Sequence, residues 1–143
     1  MKIWRLLLVL MAVSAALAGC QWLSGEPDLS PQEVVTKFYR WYIGYPGNPL
    51  VDRSYRDSPY LAESFVQDVD EVLASFDKAG ADPILLAQDI PERFTVEETE
   101  TSRDEATVTL YMYFGGNDTP AKREVELKLI DGEWKITDVA MRP

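Results

Sequence analysis

Ala106-Thr107-Val108-Thr109-Leu110-Tyr111-Met112-Tyr113-Phe114 is the stretch whose reading decides the fold. An apolar residue stands at every second position and Thr or Tyr fills the gaps. Side chains of a strand alternate between two faces, so this pattern is a strand with one face in a core. The same period runs on downstream, where Val125, Leu127 and Leu129 alternate with Glu124, Glu126 and Lys128. Asp131-Gly132, between Ile130 and Glu133, predicts a two-residue hairpin, because both residue types tolerate positive φ. In the final strand Trp134 and Ile136 share one phase, whereas Val139 and Met141 fall in the other. A bulge near Thr137-Asp138 would bring them to one face. Upstream, a first strand is expected from Phe94, after Pro91-Glu92.

Before Pro91 the period is 3.6. Ser30-Pro31-Gln32-Glu33 reads as a capping box with proline in the first turn. Val34, Val35, Phe38, Trp41 and Tyr42 then form one apolar helical face, which stops near Gly44. Tyr45-Pro46-Gly47-Asn48-Pro49 is a turn cluster, and Leu50 to Asp57 allows a short helical turn at most. Ser58-Pro59 predicts the start of a second helix, whose apolar face is Phe65, Val66, Val69, Val72, Leu73 and Phe76. Lys78 suits its C-terminal end and Gly80 its cap. Helices followed by an antiparallel sheet make an α+β order. The expected core holds Phe38, Trp41, Val69, Phe76, Leu110, Met112, Leu127 and Trp134.

The N-terminus reads differently. Met1-Lys2-Ile3-Trp4-Arg5 is followed by an apolar run from Leu6 and by Leu17-Ala18-Gly19-Cys20. Two cations, a run too short to remain as a membrane span, and small residues at a cleavage point are the parts of an export signal. Leu17-Ala18-Gly19-Cys20 resembles the lipobox of bacterial lipoproteins, and Cys20 is the chain's one cysteine. The resemblance implies cleavage before Cys20, acyl chains on its sulfur and amino group, and attachment to the membrane through them. Gln21, rather than Asp, follows the cysteine, which in a cell with two membranes favours the outer one. The expected organisation is a signal peptide over 1–19, a lipidated tether over 20–29 and one domain over 30–143. A flexible tether of that length spans on the order of 15–20 Å.

Composition narrows the function. Lys2 and Arg5 are lost with the signal, leaving 12 basic against 24 acidic residues. Nucleic acid is therefore not an expected partner, since phosphate binding needs clustered cations. The chain has no histidine, and its cysteine is taken up by the lipobox. Ser-His-Asp and Cys-His machinery, most zinc sites and any internal disulfide are excluded, and no cofactor is expected. The acidic runs Asp68 to Glu71 and Glu97 to Glu105 lack the oxygen spacing and central glycine of a calcium loop, so no metal site is assigned. Tyr111 and Tyr113, beside Thr107 and Thr109, form an outer stripe that could serve as a homodimer or partner face.

Asp82-Pro83-Ile84-Leu85-Leu86-Ala87-Gln88-Asp89-Ile90-Pro91 is too apolar for a solvated loop. It sets Asp82, Gln88 and Asp89 among residues expected to be buried, where polar groups require partners. Either Asp82 caps a turn at Pro83, or the segment lines a binding pocket.

A longer series carries a second resemblance. It consists of Val34-Val35, Phe38-Tyr39 and Trp41-Tyr42; Tyr60-Leu61; Asp82-Pro83 with Ala87-Gln88-Asp89; and Gly132-Glu133-Trp134-Lys135-Ile136 with Asp138-Val139. Over Ser30 to Met141 it resembles a bacterial family of exported domains of unknown function, many of them lipoproteins, related to the nuclear-transport-factor-like superfamily. The resemblance implies a cystatin- or nuclear-transport-factor-like cone, with N-terminal helices packed on a curved four-stranded antiparallel sheet and a pocket at its open end. Candidate pocket residues are Tyr42, Tyr60, Asp82, Gln88, Asp89 and Trp134. The superfamily includes both enzymes and binders, so the fold alone assigns no activity. Two readings follow. One is a non-catalytic envelope domain holding an envelope protein or a small apolar ligand; the other is a small hydrolase or isomerase with Asp82 or Asp89 as general base. The missing histidine, the lack of an activated nucleophile and an expected apolar cavity wall favour the binder.

Overall fold

The computed structural model describes residues 28–75 and 80–141. The signal peptide, Cys20, the tether before residue 28, Phe76 and Lys78 lie outside the described residues. Helix α1 spans Pro31–Ile43, a 3-10 turn covers Ser54–Asp57, and α2 spans Glu63–Ser75. Strands β1 (Arg93–Thr101), β2 (Glu105–Tyr113), β3 (Ala121–Ile130) and β4 (Glu133–Ala140) follow. They form one curved antiparallel sheet in the order β1-β2-β3-β4, each strand beside its neighbour in sequence.

Local chemistry explains most of these boundaries. The capping box opens α1: the Ser30 amide donates to Glu33 Oε2 at 2.8 Å and the Glu33 amide donates back to Ser30 Oγ. The β3–β4 hairpin turns on Asp131 and Gly132, both at positive φ, as a turn matched to strand twist requires. In β4 the expected bulge falls at Thr137. Glu126 pairs with Asp138 and Leu127 with Ile136, so Thr137 has no register partner, and its hydroxyl donates to the Glu126 carbonyl. The extra residue resets the phase, and Trp134, Ile136 and Val139 are all buried. Met141, just beyond the strand, is exposed.

The core is α1 laid on one sheet face. Val34, Val35, Phe38, Tyr39 and Tyr42 from the helix meet Val108, Leu110, Met112, Val125, Leu127 and Ile136 from the strands. Two expectations need correction. Trp41 is only half-buried, because it lies on the flank of the α1 stripe and stacks edge-on with Tyr42 and Tyr45. The second helix starts at Glu63 rather than at Ser58-Pro59. Residues 60–62 instead run extended along β4: the Ile136 amide donates to the Tyr60 carbonyl and the Ala62 amide to the Ile136 carbonyl, both at 2.8 Å. Covering that sheet edge satisfies backbone groups that a helical turn there would leave open.

Candidate functional site

The loop that enters β1 is fixed from three directions. Its first anchor is Asp82. The amides of Ile84 and Leu85 donate to Asp82 Oδ1 at 2.7 and 2.9 Å, and the Tyr42 hydroxyl donates to Oδ2 at 2.8 Å. Residues 82–87 close into a tight turn, in which the Asp82 amide donates to the Ala87 carbonyl and the Leu86 amide to the Asp82 carbonyl. Leu86 takes positive φ to allow it. The second anchor is Tyr39, whose fully buried hydroxyl donates to the Ile84 carbonyl at 3.1 Å. The third is Arg123, projecting from β3 into the core end. Its Nε donates to the Leu85 carbonyl at 3.0 Å and one terminal nitrogen to the Leu86 carbonyl at 2.9 Å. The remaining nitrogen reaches the Lys122 carbonyl. Every anchoring polar group is thereby bonded, as burial demands.

Burial dominates the electrostatics. It pushes the Asp82 carboxyl above its ordinary range, against the opposing effect of the Leu85 and Ile84 amides and the Tyr42 hydroxyl. Burial first, and then the negative Asp82, push the Tyr42 and Tyr39 hydroxyls up as well, so both stay protonated donors. Burial pulls the Arg123 guanidinium down. Among the described residues no ion pair reaches Asp82.

A groove of about 630 Å³ opens between the C-terminal end of α1, the turn after it, α2 and this loop. Tyr42, Asp82, Gln88 and Asp89, four of the six residues expected to line a pocket, line it together. Gln88 and Asp89 are exposed, not buried: they lie past Ala87, where the anchored turn has already closed. Tyr60 and Trp134 do not join them. They lie at a separate cleft of about 170 Å³, walled also by Leu29 and Pro59, because 60–62 is bound to β4. Nor is the groove lined by strand side chains, since α1 fills that face of the sheet. The expected apolar cavity wall is therefore core rather than pocket.

This geometry is a poor place for a general base. Both Asp82 oxygens already accept hydrogen bonds from the protein's own groups, and Asp89 is exposed to water. Among the described residues no cluster of carboxylates is arranged to hold a metal ion.

No family model matches the chain, and no curated protein sequence matches it. Solved structures do. A chain of the type VI native effector-immunity complex Tae3–Tai3 from Ralstonia pickettii aligns with a TM-score of 0.65 at 25% identity, over 80% of this chain and 96% of that one. A protein of unknown function from Bacteroides thetaiotaomicron aligns with a TM-score of 0.55 at 22% identity, over 76% and 87%. The second likeness concerns the fold alone.

Arg123 is not among the residues singled out from sequence, and Tyr39 is named there only within the resemblance, without its anchoring role. Arg123 was detectable: it stands in phase with Val125 and Leu127, and it pairs directly with Leu110 across the sheet. A cation on the inward phase of a strand requires buried acceptors, and the loop carbonyls are those acceptors. Tyr39 sits on the apolar face of α1, where nothing local distinguishes it from another core aromatic.

Proposed function

We propose that this chain is a lipid-anchored binding protein of the cell envelope, which holds another protein rather than transforming a small molecule. The observation that carries the reading is the likeness, over nearly the whole domain, to a chain of a complex between an effector and its immunity protein. Of those two roles, the immunity role of holding a partner fits this chain better. It has no histidine, and its half-buried Asp82 carboxylate is engaged by two amides and a tyrosine. In this proposal Cys20 carries the acyl chains and residues 20–29 tether the domain to a membrane on its non-cytoplasmic side. Gln21 favours the outer membrane where two membranes exist. The curved sheet around α1 supports a cone of the nuclear-transport-factor-like kind, with the groove beside Asp82 at its open end.

The test uses the full-length lipidated protein in detergent. A protein co-purified from source membranes is produced separately and mixed with it. A complex of defined stoichiometry by native mass spectrometry is the expected result. Failure of every candidate to re-form a complex from purified components contradicts the reading. Cys20→Ser is expected to leave the protein unacylated and off the membrane; a Cys20→Ser protein that stays acylated would refute the anchor.

A further inference from the structure

Among the described residues, Val51 and Ile90 are two of the four large apolar side chains left most exposed, at 77% and 60%, and both line the groove beside Asp82. Leaving two such side chains in water on one concavity costs burial that a partner could recover. Val51 sits in a turn where its amide donates to Asn48 Oδ1 at 3.2 Å. Ile90 follows the turn fixed by Tyr39, Asp82 and Arg123, so the surface is organised before anything binds and little ordering entropy opposes docking.

The charge of the groove is equally uneven. Asp82, half-buried, and Asp89, exposed, both line it. Among the described residues Arg53 is its one cationic lining residue, and Arg53 is drawn to Asp70 on α2 at 3.3 Å. The chain as a whole carries a net charge of −10. A carboxylate seated among amides and a tyrosine, with no cation beside it among the described residues, gains most from a positive group supplied from outside.

We infer that the groove between Val51 and Ile90 is a docking site for a polypeptide segment that presents a Lys or Arg next to an apolar side chain. The apolar group seats between Val51 and Ile90, and the cation faces Asp82 and Asp89. This deepens the protein-binding reading and rests on it, while adding where the partner sits and what chemistry it brings.

Short random peptides displayed on phage and selected on the full-length protein in detergent micelles test the inference. Selected sequences are expected to pair Lys or Arg with a neighbouring apolar residue. Their affinity should fall about ten-fold or more with Ile90→Asp or Val51→Asp, and likewise when the peptide cation becomes Gln. Met141→Asp, at an exposed apolar residue outside the groove, should leave affinity unchanged. Both groove substitutions fall on exposed side chains, and an unchanged circular-dichroism spectrum confirms that each variant folds. Selection of cation-free peptides, of none, or of peptides indifferent to both groove variants overturns the assignment. A dimer by sedimentation that Ile90→Asp dissociates also overturns it, in favour of a second copy as occupant. A purified partner protein that still binds Ile90→Asp undiminished defeats the groove assignment alone. Failure of the purified components to re-form any complex defeats the protein-binding reading itself.

Discussion

Asp70 and Asp82 each accept a hydrogen bond from a buried tyrosine, Tyr55 and Tyr42 respectively, yet their electrostatic situations are opposite. Asp70, on α2, also takes Arg56 at 2.8 Å and Arg53 at 3.3 Å. The Tyr55 hydroxyl, followed by those guanidiniums, holds its carboxyl below the ordinary 3.8. Asp82 has two amides and, among the described residues, no arginine, and burial holds its carboxyl above that value. The Asp70 cluster is a finished latch, fastening the 53–56 segment to α2 with its one carboxylate answered by two guanidiniums. The Asp82 cluster answers the geometry of a turn but leaves its charge unneutralised. A folded chain keeps such an imbalance where other constraints demand it, and a site awaiting a partner is one of them.

The contrast can be broken most forcibly at Arg123. Arg123→Met keeps the volume but strands the buried Leu85 carbonyl and the half-buried Leu86 carbonyl, at an expected cost of about 3 kcal/mol. Urea unfolding measures this. A loss under about 1 kcal/mol would show that the loop does not depend on this anchor.

Asp70→Asn comes next, at about 1–2 kcal/mol near neutral pH, since it weakens charge-assisted bonds that remain partly in water. Its pH signature has a definite sign. With a folded pKa below 3.8, Asp70 contributes stability that is present above 3.8 and lost as pH falls through the folded value. The gap between wild type and Asp70→Asn should therefore narrow in acid.

Asp82→Asn has the smallest effect at neutral pH, within about 1 kcal/mol, because losing charge-assisted bonds is offset by removing a buried charge. Here the sign reverses. A raised folded pKa contributes stability that is full below 3.8 and lost as pH rises through the folded value. Wild type should gain on Asp82→Asn as pH falls, while it loses ground against Asp70→Asn. Parallel pH profiles for the two variants would erase the contrast between the clusters.

Much of the fold was legible because it is written in periods. The alternation through Ala106 to Phe114, the Asp131-Gly132 turn and the phase slip at Thr137 all appear where local rules put them. The Ser58-Pro59 signal misled, because a cap followed by proline describes a helix start only where no sheet edge competes for the backbone. Residues 60–62 had that competitor in β4, which is distant in sequence. The candidate site was half legible. Asp82 declared itself as a carboxylate in an apolar run, and Tyr42 through the resemblance. The fixing of the loop by Tyr39 and Arg123 depends on contacts across 45 and 38 residues, which no window of sequence displays.

The central claim is that the Asp82 carboxylate is the unneutralised end of a binding groove rather than a base. The most direct measurement is a carbon-13 titration of the Asp82 carboxyl in the full-length protein, free and then saturated with a selected Lys-bearing peptide. The account predicts a pKa above 3.8 in the free protein and a clear downward shift in the complex, as the arriving cation favours the charged form. An Asp82 pKa that is the same in both states, or that already lies below 3.8 without peptide, would contradict it.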